Sequence, residues 1–247
     1  MSTNVNNYRV EALQHTSTPP INRDCYFNDD DGSLIEELTQ IIIRYNMEER
    51  FGINIINPNV PLCATETTLE QTDEENRISF TSKLNRDSKE LENSRPTSWS
   101  FENGLDIYSA GCRGYCNYSD YKHSNLHSSN VKVDLDSLKR NISNSQQTAH
   151  SIAPPTDVSA LTHIDEVSQI TKADESVLKA LRDAIVIRGQ NHRVGVFLVH
   201  KHFDLSDTEV LLEKHNEKTD ETIVFSVDTS IHDVGLLPSA LIVKKLH

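Results

Sequence analysis

No stretch of this 247-residue chain strings together the roughly 18 apolar residues that a membrane-spanning helix needs. Basic charge is scarce as well: 24 Lys and Arg stand against 37 Asp and Glu, a net charge of −13. That balance argues against nucleic acid and against anionic lipid as partners, because both need a basic footprint. With eight glycines in all, no glycine-rich phosphate loop is present, and there is no Gly-x-Ser-x-Gly elbow. Four cysteines in a chain of this length are too few for a disulfide framework. Hydrophobic residues make up 36%, which is low for a chain that is all core. The polar start, Met1 to Tyr8, lacks the apolar segment of a secretion signal. The expectation from these absences is a soluble, cytoplasmic protein.

What the chain does contain is an internal correspondence. Residues 33–70 laid over 176–213 without a gap match at ten of thirty-eight positions, among them Leu38/Leu181, Arg50/Arg193, Gly52/Gly195, Glu66/Glu209 and Glu70/Glu213. Further pairs, such as Ile53/Val196 and Ile55/Leu198, exchange one apolar residue for another. The same apolar period therefore runs through both segments.

Each segment reads as a helix followed by strands. Leu34, Ile35, Leu38, Ile41, Ile42 and Tyr45 fall on one helical face, and Ser33 with Glu36 suits a capping box. Val177, Leu178, Leu181, Ala184 and Ile185 form the matching face, with Gly189 as a stop. The short runs Ile53–Ile56 and Val196–Val199 suit buried strands. Ile223, Phe225 and Val227 alternate as a further strand does, and Ala240–Leu246 reads as a strand that closes the sheet. Trp99, the sole tryptophan, reads as a core anchor.

The expected fold is α+β, with two homologous helix–meander units packed as a pseudo-symmetric pair around a long polar insert. The divisions are a flexible segment over 1–28, a first unit over 29–116, a polar linker over 117–172 and a second unit over 173–247. Residues 82–95 also read as polar and without a period, hence as poorly packed.

Chemistry is concentrated in two places. His200 and His202 lie two apart at the end of a predicted strand, so both rings project to one side. With Glu209 or Glu213 they compose a two-imidazole, one-carboxylate set for zinc or iron, with Glu209 alternatively a catalytic base. Gly195-x4-His200-x-His202 partly resembles the first cupin motif, but the spacing to Glu209 is longer, the trailing glycine is missing and no second motif follows. The first segment carries Asn57 and Asn59 at the corresponding positions, and amides are poor transition-metal ligands. The second place is Cys112-x3-Cys116-x6-His123-x3-His127, a thiolate and imidazole set for a small zinc knuckle.

Three functions fit these residues. The leading one is a binding or assembly protein that offers a cleft or sheet edges to a protein partner or small ligand. The second is a metal-dependent or acid–base enzyme centred on His200 and His202. The third is a zinc-stapled interaction module at Cys112, Cys116, His123 and His127.

Overall fold

Both helices are led in by an aspartate held in a capping box. In the computed structural model, which describes residues 7–16, 23–92, 94–101, 112–117, 161–167, 169–216, 221–228 and 237–245, α1 spans Gly32–Arg44 and α2 spans Lys172–Ile187. Asn28 and Asp31 form a reciprocal box on the turn that precedes α1, and Thr171 and Asp174 form one on α2 itself. The box expected from Ser33 and Glu36 is not the one used. The short amide and carboxylate of Asn28 and Asp31 satisfy the free N–H groups one turn earlier. The helices end alike. Asn46 and Gly189 take the left-handed conformation just past their last turns, at φ 54° and 66°, and the next residues, Met47 and Gln190, donate back to Ile42 and Ile185.

The strands are β1 (Tyr8–Thr16), β2 (Phe51–Ile55), β3 (Glu66–Asp73), β4 (Ile78–Asn85), β5 (Ser94–Trp99), β6 (Cys112–Asn117), β7 (Val194–Leu198), β8 (Glu209–Asn216), β9 (Glu221–Asp228) and β10 (Leu237–Lys245). They close one barrel in the order β1-β10-β2-β7-β5-β6-β3-β4-β9-β8. Neighbours are antiparallel except β1 with β8 and β3 with β6. The chain is thus of mixed α+β class, and no helix among the described residues is long and apolar enough to cross a membrane.

The two segments do not fold as separate meanders. β2 lies between β10 and β7, and among the described residues the only consecutive strands that pair are β3–β4, β5–β6 and β8–β9. The cause is burial. Phe51, Ile53 and Ile55 point to the helices, as do Val194, Val196 and Leu198. Two five-residue strands with one face under the helices are best satisfied by pairing with each other, Ile53 opposite Val196. Two further expectations change. Residues 8–16, assigned to a flexible segment, form β1 and pair along β10. Residues 82–95, expected to be poorly packed, include the end of β4 and the start of β5. Most of the 117–172 linker lies outside the described residues.

Strand bounds recur at a constant spacing. Phe51–Ile55, Glu66–Asp73 and Ile78–Asn85 answer to Val194–Leu198, Glu209–Asn216 and Glu221–Asp228, each 143 positions later. Tertiary contacts recur with them. Asp174, one per cent exposed, takes a bidentate pair from Arg50 at 2.7 and 2.8 Å. Asp31, itself buried, takes one from Arg193. Ile56 N–H donates to Arg193 O and Val199 N–H to Arg50 O. Each arginine thus ties the start of one inner strand to the helix cap of the other segment, and removing one member of such a buried pair costs about 3–5 kcal/mol.

The main core lies between the helices and the outer face of the barrel. Leu38, Ile42, Leu178, Leu181 and Ile185 meet β2 and β7 there. Trp99 is buried and meets Phe51 edge-on at 6.2 Å between ring centres, as an anchor does. The opposite strand faces point into the barrel and carry a different set of residues.

Candidate metal centre

Strand alternation sends every second residue into the barrel. A cavity of about 200 Å³ lies there. Thr68 and Glu70 reach it from β3, Ser79 and Thr81 from β4, and Asn57, His200 and His202 from the loops after β2 and β7. The inner wall is therefore rich in hydroxyls.

The loop after β7 is fixed from several sides. Arg50 O accepts from Val199 N–H. Residues 162–164 then bracket Lys201: Lys201 N–H donates to Thr162 O, and Ile164 N–H to Lys201 O. His163 Nε2 lies 3.0 Å from His202 O, which makes it the donor in that bond. With the backbone of Lys201 held, His200 and His202 turn their rings to the same side. Their Nε2 atoms are 3.1 Å apart, and the rings meet edge to face at 84°.

Glu70 completes the group. Its Oε1 lies 3.4 Å from His202 Nε2, and one ligand atom each from Glu70, His200 and His202 fall within 4.8 Å of one another. Two ligands held by one ion at about 2.0–2.2 Å stand roughly 3.0–3.5 Å apart, which the His200–His202 and His202–Glu70 separations match. The tautomer suits one too. His200 Nδ1–H donates to Leu198 O at 2.6 Å, which leaves the Nε2 lone pair facing the other two groups. Burial, with the His202 ring adding to it, pulls the His200 imidazole down to about 4. It is neutral at pH 7 and able to ligate.

Two carboxylates singled out in the sequence stand elsewhere. Glu209 is bound by Arg77 through both oxygens, at 2.8 and 2.6 Å, and accepts from Ser206. The Arg77 guanidinium holds its carboxyl down at about 2. Glu213 lines the same cavity, with Oε1 accepting from Asn57 Nδ2 at 2.7 Å. The arrangement is crossed: the His200/His202 loop meets Glu70 of the first segment, and the Asn57 loop meets Glu213 of the second. The identity of Glu70 and Glu213 in the sequence carries no sign that each faces the other segment's loop. Of the second constellation, Cys112 and Cys116 lie on β6, and His123 and His127 lie outside the described residues.

The residues present fit a divalent transition metal by donor type and count. The chain finds no match among protein-family models, curated proteins or solved structures.

Proposed function

We propose that this chain is a metal-dependent enzyme, which holds one divalent transition-metal ion on Glu70, His200 and His202 and offers the remaining coordination positions to a small substrate in the barrel. The observation that carries this reading is the convergence of three ligand atoms from β3 and the loop after β7 within 4.8 Å at the wall of a cavity. Two imidazoles and one carboxylate with open positions are a donor set used for catalytic zinc and for non-haem iron. Bound there, the ion supplies a Lewis acid and an acidified water. The chain's own part is to keep His200 neutral through burial, to fix its tautomer through Leu198 O, and to hold the His202 backbone through His163. The protein-assembly reading draws less support, because its sheet edges are taken up: each described strand has a neighbour on both sides.

The test is metal content and titration of the purified chain. Zinc or iron(II) is expected to bind at one ion per chain, with at least a hundredfold loss in Glu70→Gln and in His200→Asn. Glu209→Gln and Glu213→Gln are expected to keep the affinity within a few-fold. Failure to bind either metal, or binding indifferent to Glu70 and His200, overturns the proposal.

We further infer that the two segments are copies of one ancestral unit. Support comes from the strand bounds, from the Arg50–Asp174 and Arg193–Asp31 pairs and from the left-handed residues Asn46 and Gly189, all of which recur at one spacing. On this reading the metal set is assembled between copies: the second gives the imidazoles, the first the carboxylate.

A further inference from the structure

The two walls of the cavity differ in polarity at corresponding positions. On the wall that carries Glu70, the inward residues include Thr68, Thr81 and Thr97. At the corresponding positions of the other segment, also lining the cavity, stand Leu211, Val224 and Ala240. Three hydroxyls on one wall answer to three aliphatic side chains on the other, while the glutamates Glu70 and Glu213 and the hydroxyls Ser79 and Thr222 stand at corresponding positions of both walls. Leu13, Ile56 and Val60 add to the apolar lining. Glu213 stands on this wall too, but its carboxylate is turned to Asn57. The lining therefore joins the three ligand groups and several hydroxyls with a set of aliphatic side chains.

We infer that the cavity takes a short-chain carboxylate, with its oxygens on the metal and its hydrocarbon chain on the Leu211, Val224 and Ala240 wall. The inference rests on the metal reading above. A divalent ion with one carboxylate and two neutral imidazoles keeps one net positive charge, so an anionic oxygen donor completes it better than a neutral head. The hydroxyls of Thr68 and Thr81 stand near Glu70 on β3 and β4, Thr81 directly opposite it, where they can donate to that head. Burial on the aliphatic wall rewards each added methylene until a cavity of about 200 Å³ is filled. A cavity of that volume holds a short chain in full and leaves the end of a long acyl chain outside it.

The full chain, loaded with zinc, is titrated calorimetrically with acetate, butanoate, hexanoate and decanoate, and with hexanol and hexylamine. Affinity is expected to rise about fourfold per methylene from acetate, to stop rising before decanoate, and to favour hexanoate over hexanol and hexylamine at least tenfold. Leu211→Thr with Val224→Thr copies the opposite wall and is expected to flatten the chain-length dependence while acetate binding and the one-ion stoichiometry stay unchanged. Val224→Thr alone, which keeps volume, serves if the double variant does not fold. Carboxylates bound with no dependence on chain length, a steady rise through decanoate, or hexanol bound as tightly as hexanoate, overturn the inference while leaving the metal site in place. Absence of zinc binding removes the metal reading itself and this inference with it.

Discussion

Glu209→Gln separates a structural carboxylate from a ligand, and its cost can be worked from the structure. The Glu209 side chain is 14% exposed and bound to Arg77 at 2.6 Å. The Arg77 guanidinium, with Ser206 assisting, lowers its carboxyl from 4.5 to about 2. At about 1.4 kcal/mol per unit that is roughly 3 kcal/mol of native-state stability at neutral pH. Arg77 is 35% exposed, and solvent screening reduces the figure to about 2 kcal/mol. The sign follows from the lowered value. The unfolded chain takes up this proton first, so the contribution is complete above about 4.5 and is lost as pH falls from there through about 2. Urea unfolding of the wild type and Glu209→Gln at several pH values reads the difference. It is expected to be about 2 kcal/mol at pH 7 and to shrink steadily below pH 4.5, with zinc affinity unchanged. A difference that is flat with pH refutes the ion-pair account, and loss of zinc binding with the fold intact returns Glu209 to the ligand set.

Other consequences concern the scaffold. Arg50→Ala and Arg193→Ala are each expected to cost about 3–5 kcal/mol in urea unfolding, because each strands a buried aspartate; a cost below 1 kcal/mol for either contradicts the pairing. Gly189→Ala, at a φ of 66°, is expected to lower stability by about 1 kcal/mol, whereas Asn46→Gly at the corresponding turn is expected to leave it equal or raise it slightly. In Gly52→Ala, the new methyl would stand 2.7 Å from Leu241 O and 2.4 Å from the Phe197 ring. A cost of about 1–3 kcal/mol is expected in thermal or urea unfolding, since the backbone carbonyl cannot swing away.

Much of the local structure was legible in the sequence. The apolar period of Leu34, Leu38, Ile41 and Ile42 marks the buried face of α1, and the runs beginning at Ile53 and Val196 lie in β2 and β7. Strands with polar or charged inward residues are legible only in part. Of β4, the stretch 77–81 reads as a strand, whereas its end over 82–85 is polar and falls in the stretch expected to be poorly packed. β1 hides a charge: Glu11 is fully buried, beside Arg9 and Lys244. A glutamate in mid-strand counts against burial until its cationic neighbours are known. The histidine pair was legible because both rings belong to one short loop. Glu70 was not, because its approach to His202 depends on β2 pairing with β7 rather than with β3, a non-local choice that no spacing records. Asp31 and Asp174 show the same limit more mildly, as they sit just outside the segment in which identities are dense.

The correspondence between the two loops leads to a test of the whole scheme. Asn57 and Asn59 occupy the positions of His200 and His202, and the first loop reaches Glu213 through Asn57 at 2.7 Å, where the second reaches Glu70 through His202, two residues further on. The backbone there is held alike, with Ile56 N–H on Arg193 O. Asn59 is exposed and Asn57 only half-buried, so there is room for larger side chains. What the first loop lacks is ligand chemistry, since an amide binds transition metals weakly. Asn57→His with Asn59→His should supply it, with Glu213 as the carboxylate. The double variant is expected to bind two zinc ions per chain in place of one, and Glu213→Gln in that background is expected to return the count to one without disturbing the ion on Glu70. Losing the Asn59 N–H to Asn57 Oδ1 bond costs the loop about 1 kcal/mol, well below what would unfold the barrel. A folded double variant that still binds a single ion would mean that the two loops share strand bounds but not side-chain geometry, and the crossed pairing of loop and glutamate would lose its structural meaning.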